Sequence, residues 1–257
     1  MSEFNSEIRT KAWTHYVASV VLMDDDGVLC FNGWLGECDA SRVHLLERKT
    51  GVIAQNWSRY RTGERNVGVS TLKRVEQKVV GSSHIYNVGP DGAPLWTALW
   101  SDDELELWQV SKTTCRTIQF HHAWVSNEEF FCDYTRVEST KIYFTALSDY
   151  YEDMVRSGKG LIGIEDLAAL IAAFRLGQFR REAALYQEKL GRCLELSLTE
   201  GSLALIILKD YGILNYISHY INKLIPHSEK ITREVPLINR ENAFNSYWLN
   251  TEENFSR

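Results

Sequence analysis

The sequence predicts an α+β protein in which a β-rich half, residues 1–138, packs on an antiparallel helical bundle, residues 139–257. Three observations carry that expectation. Short aromatic and β-branched runs before residue 138 are punctuated by turn residues. After residue 139 the apolar positions recur with the 3.6-residue period of a helix. Composition changes at the same place: seven of the eight tryptophans precede residue 125, whereas eight of the nine alanines after residue 139 fall between 146 and 204. No Pro/Gly/Ser-rich linker separates the halves, so two closely joined parts are expected.

The front half reads as antiparallel hairpins in chain order. "HYVASVVLM" runs into "DDDG", a turn signal, and "VLCFNGWL" follows as its partner. "RVHLLER", the turn "KTG" and "VIAQNW" make a second pair. "HIYNV", the turn "GPDGAP" and "LWTALW" make a third, continued as a meander by "ELELWQV" and "TCRTIQF". In that meander Trp96 and Trp100 share a face in either secondary structure, because positions i and i+4 coincide in both periods. The turn residues on either side select strand. "STLKRVEQKVV" also fits a short helix, with Leu72, Val75 and Val79 on one face.

The second half reads as four or five antiparallel helices. From Ser139, an N-cap residue type, Tyr143, Phe144, Leu147, Tyr150, Tyr151, Met154 and Val155 form one stripe. The same offsets recur from Ile213 to Ile225, where Pro226 stops the pattern. Between them lie "IEDLAALIAAFRL", with acids in its first turn and Gly177 after its end, and "FRREAALYQEKLGRCLELS". Short connections make these helices antiparallel neighbours. Phe244, Tyr247 and Trp248 stand at helical spacing and predict a short terminal helix.

Bulk properties narrow the function classes. A chain of 257 residues buries enough surface to fold without a disulfide or metal staple. The net charge of −6 argues against a general nucleic-acid binder, which needs basic surface to displace counterions. Five cysteines, Cys30, Cys38, Cys115, Cys132 and Cys193, follow no pairing pattern and fit free thiols in a reducing compartment. The polar start "MSEFNSEIRTKAW" lacks the features of a secretion signal, and Glu165, Asp166, Lys209 and Asp210 interrupt the two most apolar segments. A cytoplasmic protein with no membrane span is expected.

No motif specifies a reaction. His121 and His122 would point to opposite faces of a strand, and no zinc-type cysteine or histidine spacing occurs, so neither metal nor cofactor is expected. "SGKG" lacks the spacing of a phosphate loop, and "DDDG" lacks the alternating ligands of a calcium loop. "GSSH" places serine beside histidine in sequence, which is not the spatial relation a triad needs. "SDDELELWQVSKTTCRTIQFHH" resembles a single WD-repeat, with Gln109 where that family has aspartate. About 140 residues cannot close a ring of such blades, so no function is carried over.

One charge anomaly stands out. Residues 59–78 hold Arg59, Arg61, Arg65, Lys73, Arg74 and Lys78 against Glu64 and Glu76, a local +4 with Tyr60 interleaved. Three functional expectations follow. The leading one is a non-catalytic protein-binding module, such as an inhibitor, immunity protein or adaptor. Its contact residues would be Trp96, Trp100, Arg59, Arg61 and Lys73, and its partner another protein. The second is a hydrolase-like enzyme with a dispersed site, its first suspects His84, His121, His122, Cys132 and Asp133. The third is a nucleic-acid-associated protein using the basic 59–78 segment, a partner class that the overall acidity disfavours.

Overall fold

A computed structural model of the chain describes residues 3–26, 40–112, 137–157, 162–179, 184–199 and 202–225. Every regular element among them is helical. They are α1 (Glu3–Asp26), α2 (Ala40–Thr50), α3 (Ala54–Thr62), α4 (Val69–Glu76), α5 (Ser82–Asn87), α6 (Leu95–Trp100) and α7 (Glu104–Ser111), then α8 (Val137–Ser157), α9 (Ile164–Phe179), α10 (Ala184–Ser197), α11 (Leu203–Asp210) and α12 (Leu214–Leu224). The chain divides into two compact units, Met1–Ala93 with Ile207–His219, and Pro94–Ile206 with Tyr220–Arg257.

In the first unit α1 is the central post, packed on α2, α3 and α5. Its apolar residues do not form a single stripe, because it is enclosed on several sides. Trp13, Val17 and Val21 join Val43 and Leu46 of α2, Trp57 and Tyr60 of α3, and Leu72 and Val75 of α4 in one core. The Trp13 and Trp57 rings stack at 5.3 Å, and Tyr60 meets both edge-on. Thr10, Lys11, Thr14 and His15 are also buried on α1. Thr14 answers its own burial by donating to the Thr10 carbonyl at 2.7 Å.

In the second unit α9 is the buried element, packed on α6, α7 and α10, while α8 packs on α10. Alanines 168, 169, 172 and 173 let neighbouring backbones approach it closely. Asp166 secures its first turn, accepting from the Gly163 amide and the Tyr151 hydroxyl, both at 2.8 Å.

The expectation of an α+β fold with a β-rich front half is overturned: no strand occurs among the described residues. "HYVASVVLM" and the first three residues of "DDDG" continue α1, where enclosure by other helices outweighs the strand preference of a β-branched run. "RVHLLER" is α2, and most of "VIAQNW" lies in α3. Gly51 takes φ +74° and turns the chain between two helices instead of two strands. "HIYNV" falls largely in α5 and "LWTALW" is α6. "SDDE" is a helix start, in which the Asp103 carboxylate accepts the Leu105 amide at 2.7 Å. "ELELWQV" is α7, which buries Leu107, Trp108, Val110 and Ser111 and leaves Leu105 exposed. The blade-like stretch from Ser101 is therefore helical as far as it is described. "VLCFNGWL", "TCRTIQF" and the expected terminal helix at 244–248 lie outside the described residues.

The helical second half is present. α8 buries Tyr143, Phe144, Leu147 and Tyr151, and Ile217 and Ile221 are buried along α12, with Ile213 buried just before it. α9 runs through Gly177 to Phe179, beyond the expected stop. The segment 70–80 takes its helical alternative as α4, with Leu72, Val75 and Val79 inward.

Candidate functional site

The basic stretch is largely exposed to solvent in the fold. Residues 40–81 carry nine Lys or Arg against three Glu, a net +6 in a chain of −6. Helices α2, α3 and α4 occupy this stretch, and their apolar sides face the core of the first unit. Their other sides leave Arg48, Lys49, Arg59, Lys73 and Arg74 exposed, with Arg65 and Lys78 exposed in the adjoining turns. No ion pair among the described residues involves Arg59, Lys73, Arg74 or Lys78. Part of the pattern is local helix electrostatics: Arg48 and Lys49, Arg59 and Arg61, and Lys73 and Arg74 sit in the last turns of three helices. Cations are stabilised there by about 0.3–1 kcal/mol each. That term does not account for Arg65 or Lys78.

Within this surface α2 and α3 form a helix-turn-helix. Three residues, Gly51–Ile53, join them. Gly51 supplies the positive φ and donates to the Glu47 carbonyl at 2.7 Å. α3 has nine residues and two distinct faces. Trp57 and Tyr60 point into the core, while Gln55, Arg59 and Thr62 are exposed, at positions i, i+4 and i+7. Ser58 is half-buried beside them. Every member of this outward row carries a hydrogen-bonding side chain. Ile53, immediately before the helix, is 58% exposed. Arg65 folds back to donate to Asn56 at 2.8 Å, anchoring the loop that follows α3. Gly63 ends the helix at φ +81°.

A second polar group lies inside the first unit. Glu7, Lys11 and His15 follow one another at four-residue spacing along α1. Lys11 pairs with Glu7 at 3.0 Å and donates to the Tyr216 hydroxyl, which itself bonds Glu7 at 3.1 Å. Burial lowers the His15 pKa to about 4, and the positive charges of Arg61 and Lys11 act in the same direction. A bond with the Asp210 backbone opposes them. The ring is therefore neutral near pH 7. Packed against Gly212, it holds the returning segment in place.

The sequence-derived candidates belong to different units of the chain. Arg59 and Lys73 are exposed on the basic surface, and Arg61 is half-buried there. Trp96 is 1% exposed and stacks on the half-buried Trp100 at 5.2 Å in the second unit. His84 is exposed beside Gly92. His121, His122, Cys132 and Asp133 lie outside the described residues. No group of three or more His, Cys, Asp or Glu among the described residues is arranged to hold a metal ion. No described helix is long and apolar enough to cross a membrane. Gln55 escaped the sequence reading because "VIAQNW" read as strand, and Thr62 because the polar row appears only at helical spacing. Compared with protein-family models, curated proteins and solved structures, the chain finds no match.

Proposed function

We propose that this protein binds nucleic acid through the basic helix-turn-helix of its first unit. The observation that supports the reading most strongly is the outward side of α3. It is a row of hydrogen-bonding side chains, Gln55, Arg59 and Thr62, in a basic stretch where Arg59, Lys73, Arg74 and Lys78 form no ion pair among the described residues. Phosphates attract such cations strongly, because each neutralised charge releases a condensed counterion. The overall charge of −6 does not oppose this, since recognition depends on the local field and not on the sum.

The test is a salt titration of binding to random-sequence duplex DNA, single-stranded DNA and duplex RNA. With about five phosphates neutralised, affinity for the preferred form falls by two to three orders of magnitude between roughly 50 and 200 mM salt. The combined substitution Arg59→Ala, Lys73→Ala and Arg74→Ala removes most of the binding while the chain stays folded, because all three side chains are exposed and each loses only about 0.3–1 kcal/mol of helix-end stabilisation. No binding to any of the three forms at low salt refutes the reading.

A second reading, a protein-binding face, is favoured by the exposure of Val69 at 69% and Val80 at 82% beside the same cations. It expects Val69→Ser and Val80→Ser to abolish a stoichiometric complex recovered from the native cell without altering nucleic-acid affinity.

A further inference from the structure

We propose that α3 reads duplex DNA in the major groove, with Arg59 and Gln55 as its base-contacting residues. This rests on the nucleic-acid reading above and adds the form of nucleic acid and the specificity-determining side chains.

Single strands are bound chiefly by exposed aromatic platforms on which bases stack. The aromatic residues of α3, Trp57 and Tyr60, are spent in the core against Trp13. Duplex RNA is excluded by shape, because its deep, narrow major groove does not admit a helix. The major groove of B-form DNA does. There the outward row has the required chemistry. Arginine pairs in bidentate fashion with the two acceptors of guanine, and glutamine with the donor and acceptor of adenine. Gln55 and Arg59 are four residues apart, about 6 Å along the helix axis, which spans one to two base-pair steps.

Ile53 completes the argument. An apolar side chain 58% exposed at the start of a polar helix has no role in the core. In the groove it lies on the same end of α3 as Gln55, where thymine presents its methyl group. The exposed cations of α4, Lys73 and Arg74, are assigned to the phosphates, which position the protein without reading sequence.

The experiment is selection of bound sequences from a random duplex DNA pool by the full chain, repeated with two variants. The unaltered protein is expected to enrich a site containing a guanine and an adenine one or two steps apart. Arg59→Ala lowers affinity for that site about ten- to a hundred-fold and erases the preference at the guanine alone. The pair Lys73→Ala and Arg74→Ala weakens every sequence alike and reduces the salt slope by about two. Salt-dependent binding to duplex DNA with no enriched site overturns this assignment while leaving the nucleic-acid reading intact. So does an unchanged guanine preference in the Arg59 variant, or equal affinity for duplex RNA. Circular dichroism of each variant excludes unfolding as the cause of lost binding.

Discussion

Arg175 offers the sharpest test of what holds the second unit together. It sits in the last third of α9, 8% exposed, on a helix otherwise buried mostly through alanine, leucine, isoleucine and phenylalanine. Its Nη1 donates to the Ala98 carbonyl at 2.8 Å, and its Nη2 reaches the Asp102 carboxylate at 3.3 Å. The first contact is buried. In the second, the Asp102 side chain is 92% exposed. α6 has six residues, and its last carbonyls need partners because water does not reach buried backbone. Arg175 supplies one, and the Tyr220 hydroxyl supplies another by donating to the Leu99 carbonyl at 2.6 Å. The guanidinium also faces the negative end of the α6 dipole. Arg175→Met keeps the packing volume but removes a charge-assisted bond and leaves the Ala98 carbonyl unsatisfied, a cost of about 2–3 kcal/mol. A chain of this size loses roughly 2–4 °C per kcal/mol, so the melting point should fall by about 5–10 °C. Asp102→Asn removes an exposed ion pair and should leave the midpoint within error. Thermal unfolding followed by far-ultraviolet circular dichroism measures both. If Asp102→Asn costs as much as Arg175→Met, the ion pair does the holding, and the account of buried carbonyl capping is wrong.

Two further outcomes follow from the first unit. Gly51 and Gly63 both take positive φ, but a Cβ at Gly51 meets nothing within 4 Å, whereas one at Gly63 falls 2.6 Å from Glu7 Cγ and Lys11 Cε. Gly51→Ala should therefore cost only the backbone strain, about 1–2 kcal/mol, and Gly63→Ala measurably more in the same denaturation assay. His15, with its folded pKa lowered to about 4 from 6.5, takes up a proton in the unfolded chain first. Its neutral burial carries no penalty above about pH 6.5. Stability is then lost as pH falls towards 4, by about 3 kcal/mol in all. His15→Gln should flatten the melting-temperature profile over that window. A profile as steep as that of the parent would contradict the assigned titration.

Among the parts of this fold legible in the sequence, most have one wet face, while the buried α9 was legible from the acids of its first turn and its run of alanine and leucine. α8 and α12 each keep an apolar stripe against a polar remainder, so the 3.6-residue period survives from Tyr143 to Tyr151 and from Ile213 to Ile221. α4, whose inward Leu72 and Val75 alternate with outward Lys73 and Arg74, was ambiguous in the sequence and took its helical alternative. The front half defeated the reading where that contrast disappears. α1 is enclosed on several sides and has no single stripe, so its β-branched run carried the strand signal instead. Trp96 and Trp100 share a face in both periods, and the choice passed to turn residues that serve helix starts equally well.

What the sequence determined by itself was chemical: the charge concentrated between residues 40 and 81, the scattered cysteines, the apolar periods of the second half. These properties belong to residue types and spacing, and survive any arrangement of neighbours. Tertiary structure alone decided which side chains of the basic segment face water. Trp57 and Tyr60 turn towards Trp13, and that packing leaves Gln55, Arg59 and Thr62 outward. A surface helix such as α3 has one core-facing side, and only the partner that covers it fixes which residues remain free to meet a ligand.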